Sequence, residues 1–198
     1  MYQNKPKPMT IAIVSGSTRT GRLSHNVSLV LAARLQLLTG QVPVMIDLAE
    51  YKIPLFEEVL QRQAEPCPDL QKVSTLLREA DAMIFVSPEY NGSYTPALKN
   101  IVDSLGKREF ARKVIGVVSV SSGILGGLRG ALSMQQLVLA VWGIALPQML
   151  LVPVVQDKVN HKAEFTDESF ETKATDFLKE FIWLSSAVHA KKLLGEAL

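Results

Sequence analysis

Apolar residues in this chain fall into short dense runs separated by longer stretches in which they recur at helical spacing. The run TIAIVSG (10–16) is β-branched, unbroken and closed by a glycine, which predicts a strand buried on both faces. From Ser24 to Leu38 the apolar positions Val27, Leu31, Leu35 and Leu38 lie along one face of a predicted helix. Strand character returns in QVPVMIDL (41–48), followed by a looser, proline-bearing stretch over 49–69. LQKVSTLLREA (70–80) then predicts a helix and DAMIFVS (81–87) a third strand. The rest repeats the alternation: helix in PALKNIVDSL, strand in KVIGVVSVS (113–121), helix in GGLRGALSMQQLVLAVWG closed by Gly143, and a fifth strand in PQMLLVPVV. An amphipathic helix from about Thr166 to Leu194 ends the pattern, with Trp142 and Trp183 placed on apolar helical faces as core or contact residues.

Strand–helix alternation of this kind predicts an α/β fold, a parallel sheet with helices on both faces. Such sheets bind ligands beyond the carboxyl ends of their strands, so the loops that follow strands are where function is expected.

At 198 residues the chain has room for one domain with a full core, with residues 1–8 expected as a disordered N-terminal tail. A formal charge of +2 with no basic tract argues against nucleic acid as a partner. The greasy segment 137–155 is cut by Gly143, Pro147 and Pro153, so no membrane partner is expected. One cysteine, Cys67, permits no internal disulfide and fits a reducing, cytoplasmic setting. The three histidines, His25, His161 and His189, show no metal-ligand spacing.

Three post-strand loops carry the chemistry. SGSTRTGRLSHN (15–26) combines glycines, hydroxyls and Arg19 ahead of a helix N-terminus, a donor set suited to an anion. Gly16-x4-Gly21 imitates a nucleotide-binding P-loop, but Arg22 and Leu23 stand where that motif needs Lys and Ser or Thr, so an NTPase is not expected. The second loop, SPEYNGSYTP (87–96), follows a strand whose last residue is forced to extended geometry by Pro88, while Asn91 and Gly92 tolerate left-handed angles. Its backbone N–H groups could face a planar heterocycle rich in carbonyls and ring nitrogens, with Tyr90 as a flat packing surface. The third, SSGILGGLRG (121–130), is glycine-rich and set to reach the same ligand from its far edge.

These segments, GSTRTGRLSHN, PEYNGSYTPALKN and SSGILGG, in that order, resemble the NADPH-dependent FMN reductase family, whose relatives include azo-, quinone and chromate reductases. The resemblance implies a flavodoxin-like three-layer sandwich with a five-stranded parallel sheet of order 2-1-3-4-5. It implies FMN held without a covalent bond, NADPH or NADH as co-substrate, and hydride passed through FMN to a small acceptor such as a quinone, flavin, azo compound or metal oxyanion. Carried over by position, Ser17, Arg19, Ser24 and Asn26, with His25 beside them, would hold the phosphate. Pro88, Glu89, Tyr90, Asn91 and Gly92 would line the isoalloxazine ring, and Ser121, Ser122 and Gly123 its other side. No side chain is expected to act as a catalytic group, since the flavin carries the hydride. The family also implies a homodimer or homotetramer. The rival readings are a flavodoxin-type electron carrier, disfavoured by the near-neutral charge, and a flavin-binding regulatory protein. The stretch 51–68, which follows the second strand, is placed at the border of the acceptor pocket.

Overall fold

The computed structural model describes residues 8–194; the expected tail over 1–8 falls outside that range except for Pro8. Four strands form the centre of the sheet: β1 (Ile11–Ser15), β2 (Val44–Asp47), β3 (Ala82–Pro88) and β4 (Val114–Val120). They pair in parallel in the order β2-β1-β3-β4, and the fifth position is occupied by two short strands, β5 (Ile144–Ala145) and β6 (Leu150–Val152), both parallel to β4. The order 2-1-3-4-5 is therefore the expected one, with its last place split.

The split corrects the fifth strand expected over 147–155. Leu146 N–H still donates to Ile115 O at 3.1 Å, but Pro147 has no N–H to give, and the Leu146 carbonyl accepts from Gln135 Nε2 at 2.7 Å, so the ladder lapses over 147–149. The preceding helix is shorter than expected too. It ends at Ala140, so that Gly143 lies beyond it, where a Cβ would come within 2.8 Å of Ile115 Cδ1. Trp142 sits between them with φ +64° and is 63% exposed, and Trp183 is 69% exposed, so neither is a core residue. The Trp142 ring instead carries Lys107 Nζ 3.6 Å from its centroid, a cation–π contact.

Helices cover both faces. α1 (Leu23–Thr39) and α6 (Glu168–Leu193) pack on one, through Val27, Leu31, Leu35, Phe177 and Phe181. α2 (Pro68–Glu79), α3 (Pro96–Ser104) and α5 (Leu128–Ala140) pack on the other, against Val14, Met83, Phe85 and Val117. A four-residue α4 (Lys107–Phe110), not foreseen, buries Phe110 edge-on against Phe85. Covering on both sides explains why β1 and β4 are buried at every position and read as continuous apolar runs. Gly116 in β4 is required by that packing, because Phe177 Cζ lies 3.0 Å from where its Cβ would stand.

Connections are built with local signals. Pro68 and Pro96 start α2 and α3, and Gly40, at φ +71°, closes α1 by giving its N–H to Gln36 O. At the amino end of the sheet Lys113 is 6% exposed, and its Nζ donates to the last carbonyls of α2, Leu77 O at 2.6 Å and Arg78 O at 2.9 Å.

Burial, reinforced by the Lys192 charge, lowers the Lys113 pKa from 10.5 to about 8. Below pH 8 both folded and unfolded chains carry this proton, and the folded one bears the full desolvation cost; between pH 8 and 10.5 the folded amine is neutral first. This group therefore makes stability rise with pH across that window, by on the order of 3 kcal/mol. In Lys113→Met the rise disappears; urea unfolding of both proteins between pH 7.5 and 10.5 measures the difference.

Candidate functional site

The carboxyl ends of β1, β3 and β4 open into a cleft of about 280 Å³. Its walls come from three loops and one later segment, and each loop is bonded to the next.

The first loop leaves β1 at Gly16, whose N–H donates to Val86 O at 2.8 Å. A Cβ here would stand 3.1 Å from that carbonyl, so any larger residue would have to push β3 back by a few tenths of an ångström. Thr95, the cap of α3, donates its hydroxyl to Gly16 O and accepts from Leu98 N, binding the first loop to the end of the second. Ser17 is fully buried and shares a hydrogen bond with Tyr90 OH at 3.2 Å. Ser17, Arg19, Thr20 and Gly21 line the cleft, followed by Arg22, Leu23 and Ser24 at the start of α1. Ser24 is inside the helix and does not cap it. The cap position is Arg22, which makes no side-chain cap bond, so the first-turn N–H groups of α1 lack a side-chain partner.

The second loop turns over Asn91 (φ +52°) and Gly92 (φ +84°), closed by Tyr90 N–H to Ser93 O at 2.8 Å and Ser93 N–H to Tyr90 O at 3.1 Å. This is the two-residue hairpin that Asn-Gly favours. Pro88, Glu89 and Tyr90 line the cleft, while Asn91 and Gly92 stand at the tip outside that lining. Tyr90 lines the cleft, and its ring has Arg19 over it at 5.7 Å from the centroid.

Glu89 does more than line a wall. Its N–H donates to Val120 O at 3.0 Å, and its carboxylate accepts from Arg129 Nε at 3.2 Å, Arg129 Nη2 at 2.9 Å and the Gly130 N–H at 3.1 Å. The cap position of α5 is Gly127 (φ +78°), which has no side chain to cap with, so Glu89 supplies one from the neighbouring loop. Desolvation raises the Glu89 pKa, but the Gly130 N–H and Arg129 together outweigh it and the net shift is downward. The junction is tight: a Cβ at Gly130 would stand 3.2 Å from Glu89 Cβ, and one at Gly127 would stand 2.3 Å from the Oγ of buried Ser119.

In the third loop Ser121 and Ser122 line the cleft with Val120, and Gly123 lies outside the lining. Ser121 N–H donates to Val152 O and Val155 N–H to Ser121 O, which brings buried Val155 in as the fourth contributor.

His25 and Asn26 point elsewhere. They line an adjoining hollow with His161, across Gly21, Arg22 and Leu23 from the cleft, where Asn26 Nδ2 donates to Asn160 O at 2.9 Å and His25 Nδ1 lies 3.2 Å from Ser15 Oγ and 3.4 Å from Asp47 Oδ2. Each helical residue advances about 100°, so Ser24 toward the cleft carries the next two away from it. Missed from sequence were Thr20, Gly21 and Arg22. Arg22 is ion-paired to Asp47, and its Nε is buried with no hydrogen-bond partner. The cleft thus carries two cations, Arg19 and Arg22, and one carboxylate, which Arg129 already neutralises.

The profile of the NADPH-dependent FMN reductase family matches residues 9–156. The chain belongs to that family. It is 28% identical to an NADPH azoreductase of Bacillus sp. strain OY1-2 over 94% of this chain and 99% of that one. It is 30% identical to a quinone reductase of Pseudomonas putida over 60% of this chain and 63% of that protein. Its fold is similar to that of FerB, a flavoenzyme NAD(P)H:(acceptor) oxidoreductase from Paracoccus denitrificans, with a TM-score of 0.73 at 20% identity over 91% of this chain and 98% of the other. FMN and NAD(P)H are the cofactor and co-substrate of the family, and the cleft lining suits FMN: a helix start without a side-chain cap, several hydroxyls and the Arg19 guanidinium for an anion, and the Pro88–Tyr90 backbone for a ring.

Glu89→Ala leaves the Gly130 N–H and Arg129 without their acceptor and is expected to cost about 1–3 kcal/mol in urea unfolding. Arg129→Ala spares the Gly130 bond, and with Arg129 71% exposed the expected cost is below about 1 kcal/mol. Because the native Glu89 pKa is depressed, its contribution is present near neutrality and is lost as pH falls through that native pKa. The gap between wild type and Glu89→Ala should therefore close in acid.

Proposed function

We propose that the protein binds FMN in this cleft and transfers two electrons from NAD(P)H to a small aromatic or otherwise reducible acceptor. The observation that carries the reading is the composition of the cleft lining: an uncapped helix start with Ser17, Arg19, Thr20, Arg22 and Ser24, together with the Pro88–Tyr90 backbone, Ser121 and Ser122. The first group would hold the phosphate through backbone N–H, hydroxyl and guanidinium donors. The second would flank the flavin ring, with the hairpin at Asn91 and Gly92 setting the direction of the loop.

When bound, FMN supplies the chemistry, taking a hydride from NAD(P)H and giving it up to the acceptor; reduction of a quinone to its hydroquinone also takes one proton from solvent. The protein's own residues position and exclude. Val120 and Val155 keep the inner wall apolar. Glu89, neutralised by Arg129 and the α5 N-terminus, holds the second and third loops at fixed separation and places no free negative charge beside the ring. The family's dependence on NADPH favours this over a carrier that takes electrons only from protein partners. We also read the protein as a cytoplasmic homodimer or homotetramer; the single cysteine supports the first, and the exposed Leu132, Leu139 and Trp142 on and just beyond α5 support the second.

Adding FMN to the apo-protein should quench flavin fluorescence at a one-to-one ratio, and NADPH added without oxygen should bleach the visible band until a quinone restores it. Arg19→Ala should weaken FMN binding about tenfold. Failure to bind FMN would end this reading, and binding without bleaching would return it to a carrier.

A further inference from the structure

The hollow that adjoins the cleft across Gly21, Arg22 and Leu23 has a volume of about 240 Å³. Beyond that shared wall it is lined by His25 and Asn26 on α1 and by His161, which lies in the turn between β6 and α6. FMN carries one phosphate. The cleft's own donors account for it, and His25, Asn26 and His161 are not among them.

Both walls are fixed by hydrogen bonds. Asn26 Nδ2 reaches from α1 to Asn160 O, so the helix and the turn are tied directly beside His161. Asn160 also shapes that turn, its Oδ1 accepting the Lys162 N–H at 2.9 Å and the Glu164 N–H at 3.0 Å, while Val159 and Phe165 pair across it. On the opposite wall Asp47, at the end of β2, accepts from Arg22 and lies 3.4 Å from His25 Nδ1. The Asp47 side chain is 8% exposed and also accepts the Ala49 N–H, so it orients Arg22 and His25 without entering the lining.

The side chains lining the hollow are therefore a guanidinium, two imidazoles, an amide and one leucine, with no carboxylate among them. The Glu164 carboxylate on the same turn is occupied by Asn160 Nδ2 at 2.8 Å. Arg22 still has a donor to give, since its Nε has no hydrogen-bond partner. A cation would find no anionic ligand here, and no cluster of metal-ligating side chains occurs among the described residues. An oxyanion finds donors on both walls, and an anion beside an imidazole favours its protonated form, which donates from both nitrogens.

We propose that this hollow is a second anion site, for a phosphomonoester, with Arg22 shared between it and the cleft and His161 closing it from the far wall. Two sources offer that chemistry: the 2′-phosphate by which NADPH differs from NADH, and inorganic phosphate. The proposal rests on the FMN-dependent reading, and through the first source it gives the chain its preference between the two nucleotides.

The test uses FMN-loaded protein, in which the cleft's phosphate donors are already taken, and the variants His161→Ala and His161→Glu at an exposed position. Equilibrium dialysis should show 2′-AMP bound at one per chain and displaced by inorganic phosphate, with no binding of adenosine. Each variant should weaken 2′-AMP and phosphate about tenfold, leaving FMN affinity and the bleaching of FMN by NADH unchanged. With the NADPH 2′-phosphate as the source, KM for NADPH rises by the same factor and KM for NADH stays put. Weakened phosphate binding with an unmoved ratio of the two KM values assigns the site to inorganic phosphate. No anion bound by FMN-loaded wild type, or binding indifferent to both variants, would overturn the site and leave the FMN reading standing. Failure of wild type to take up FMN would defeat the reading beneath it.

Discussion

The backbone leaving β1 is buried, and satisfying its polar groups dictates the arrangement of everything at that edge. Gly16 gives its N–H to β3 and receives the Thr95 hydroxyl on its carbonyl, so the first loop is set by the strand and helix that flank it. From there the bonding passes sideways. Ser17 meets Tyr90, Glu89 meets Val120 and the start of α5, and Ser121 exchanges backbone bonds with Val152 and Val155. No loop of the rim is held by its own strand alone. The shape of the cleft is therefore a property of the whole carboxyl edge, present before any ligand arrives, which limits the ordering cost of binding.

Two helix starts open onto this rim and are treated differently. α5 is capped by a carboxylate from another loop, which uses up the negative charge of Glu89 and some of the helix's positive end. α1 is left without a side-chain cap beside two guanidinium groups, although Arg22 is shared with Asp47. The contrast leaves positive charge in the first loop and a neutralised carboxylate at the junction of the second and third.

Much of this was legible in sequence. The runs TIAIVSG, DAMIFVS and KVIGVVSVS became β1, β3 and β4 within a residue or two, because strands covered on both faces have no polar alternation to obscure them. The Asn-Gly turn was also legible, since few other pairs accept two left-handed residues. The fifth strand was not: glycine and proline already interrupt 137–155 in sequence, and only pairing with β4 shows that strand lies on both sides of Pro147. His25 and Asn26 belong with residues 160–161 because α1 begins at Leu23, a boundary the hydroxyl-rich loop disguises. Arg22 was passed over as a defect in a P-loop imitation. The Glu89–Arg129 pair spans forty positions, so no local pattern could reveal it.

The broken last strand also bears on how copies of the chain can meet. An outermost strand with a continuous row of unused amides and carbonyls invites another sheet to add on, and proteins guard against that with short, bent margins. Here the margin is two residues, a detour at a proline, and three more. Sheet extension across that border has no continuous template, because the ladder that a neighbouring strand would have to follow is interrupted at Pro147.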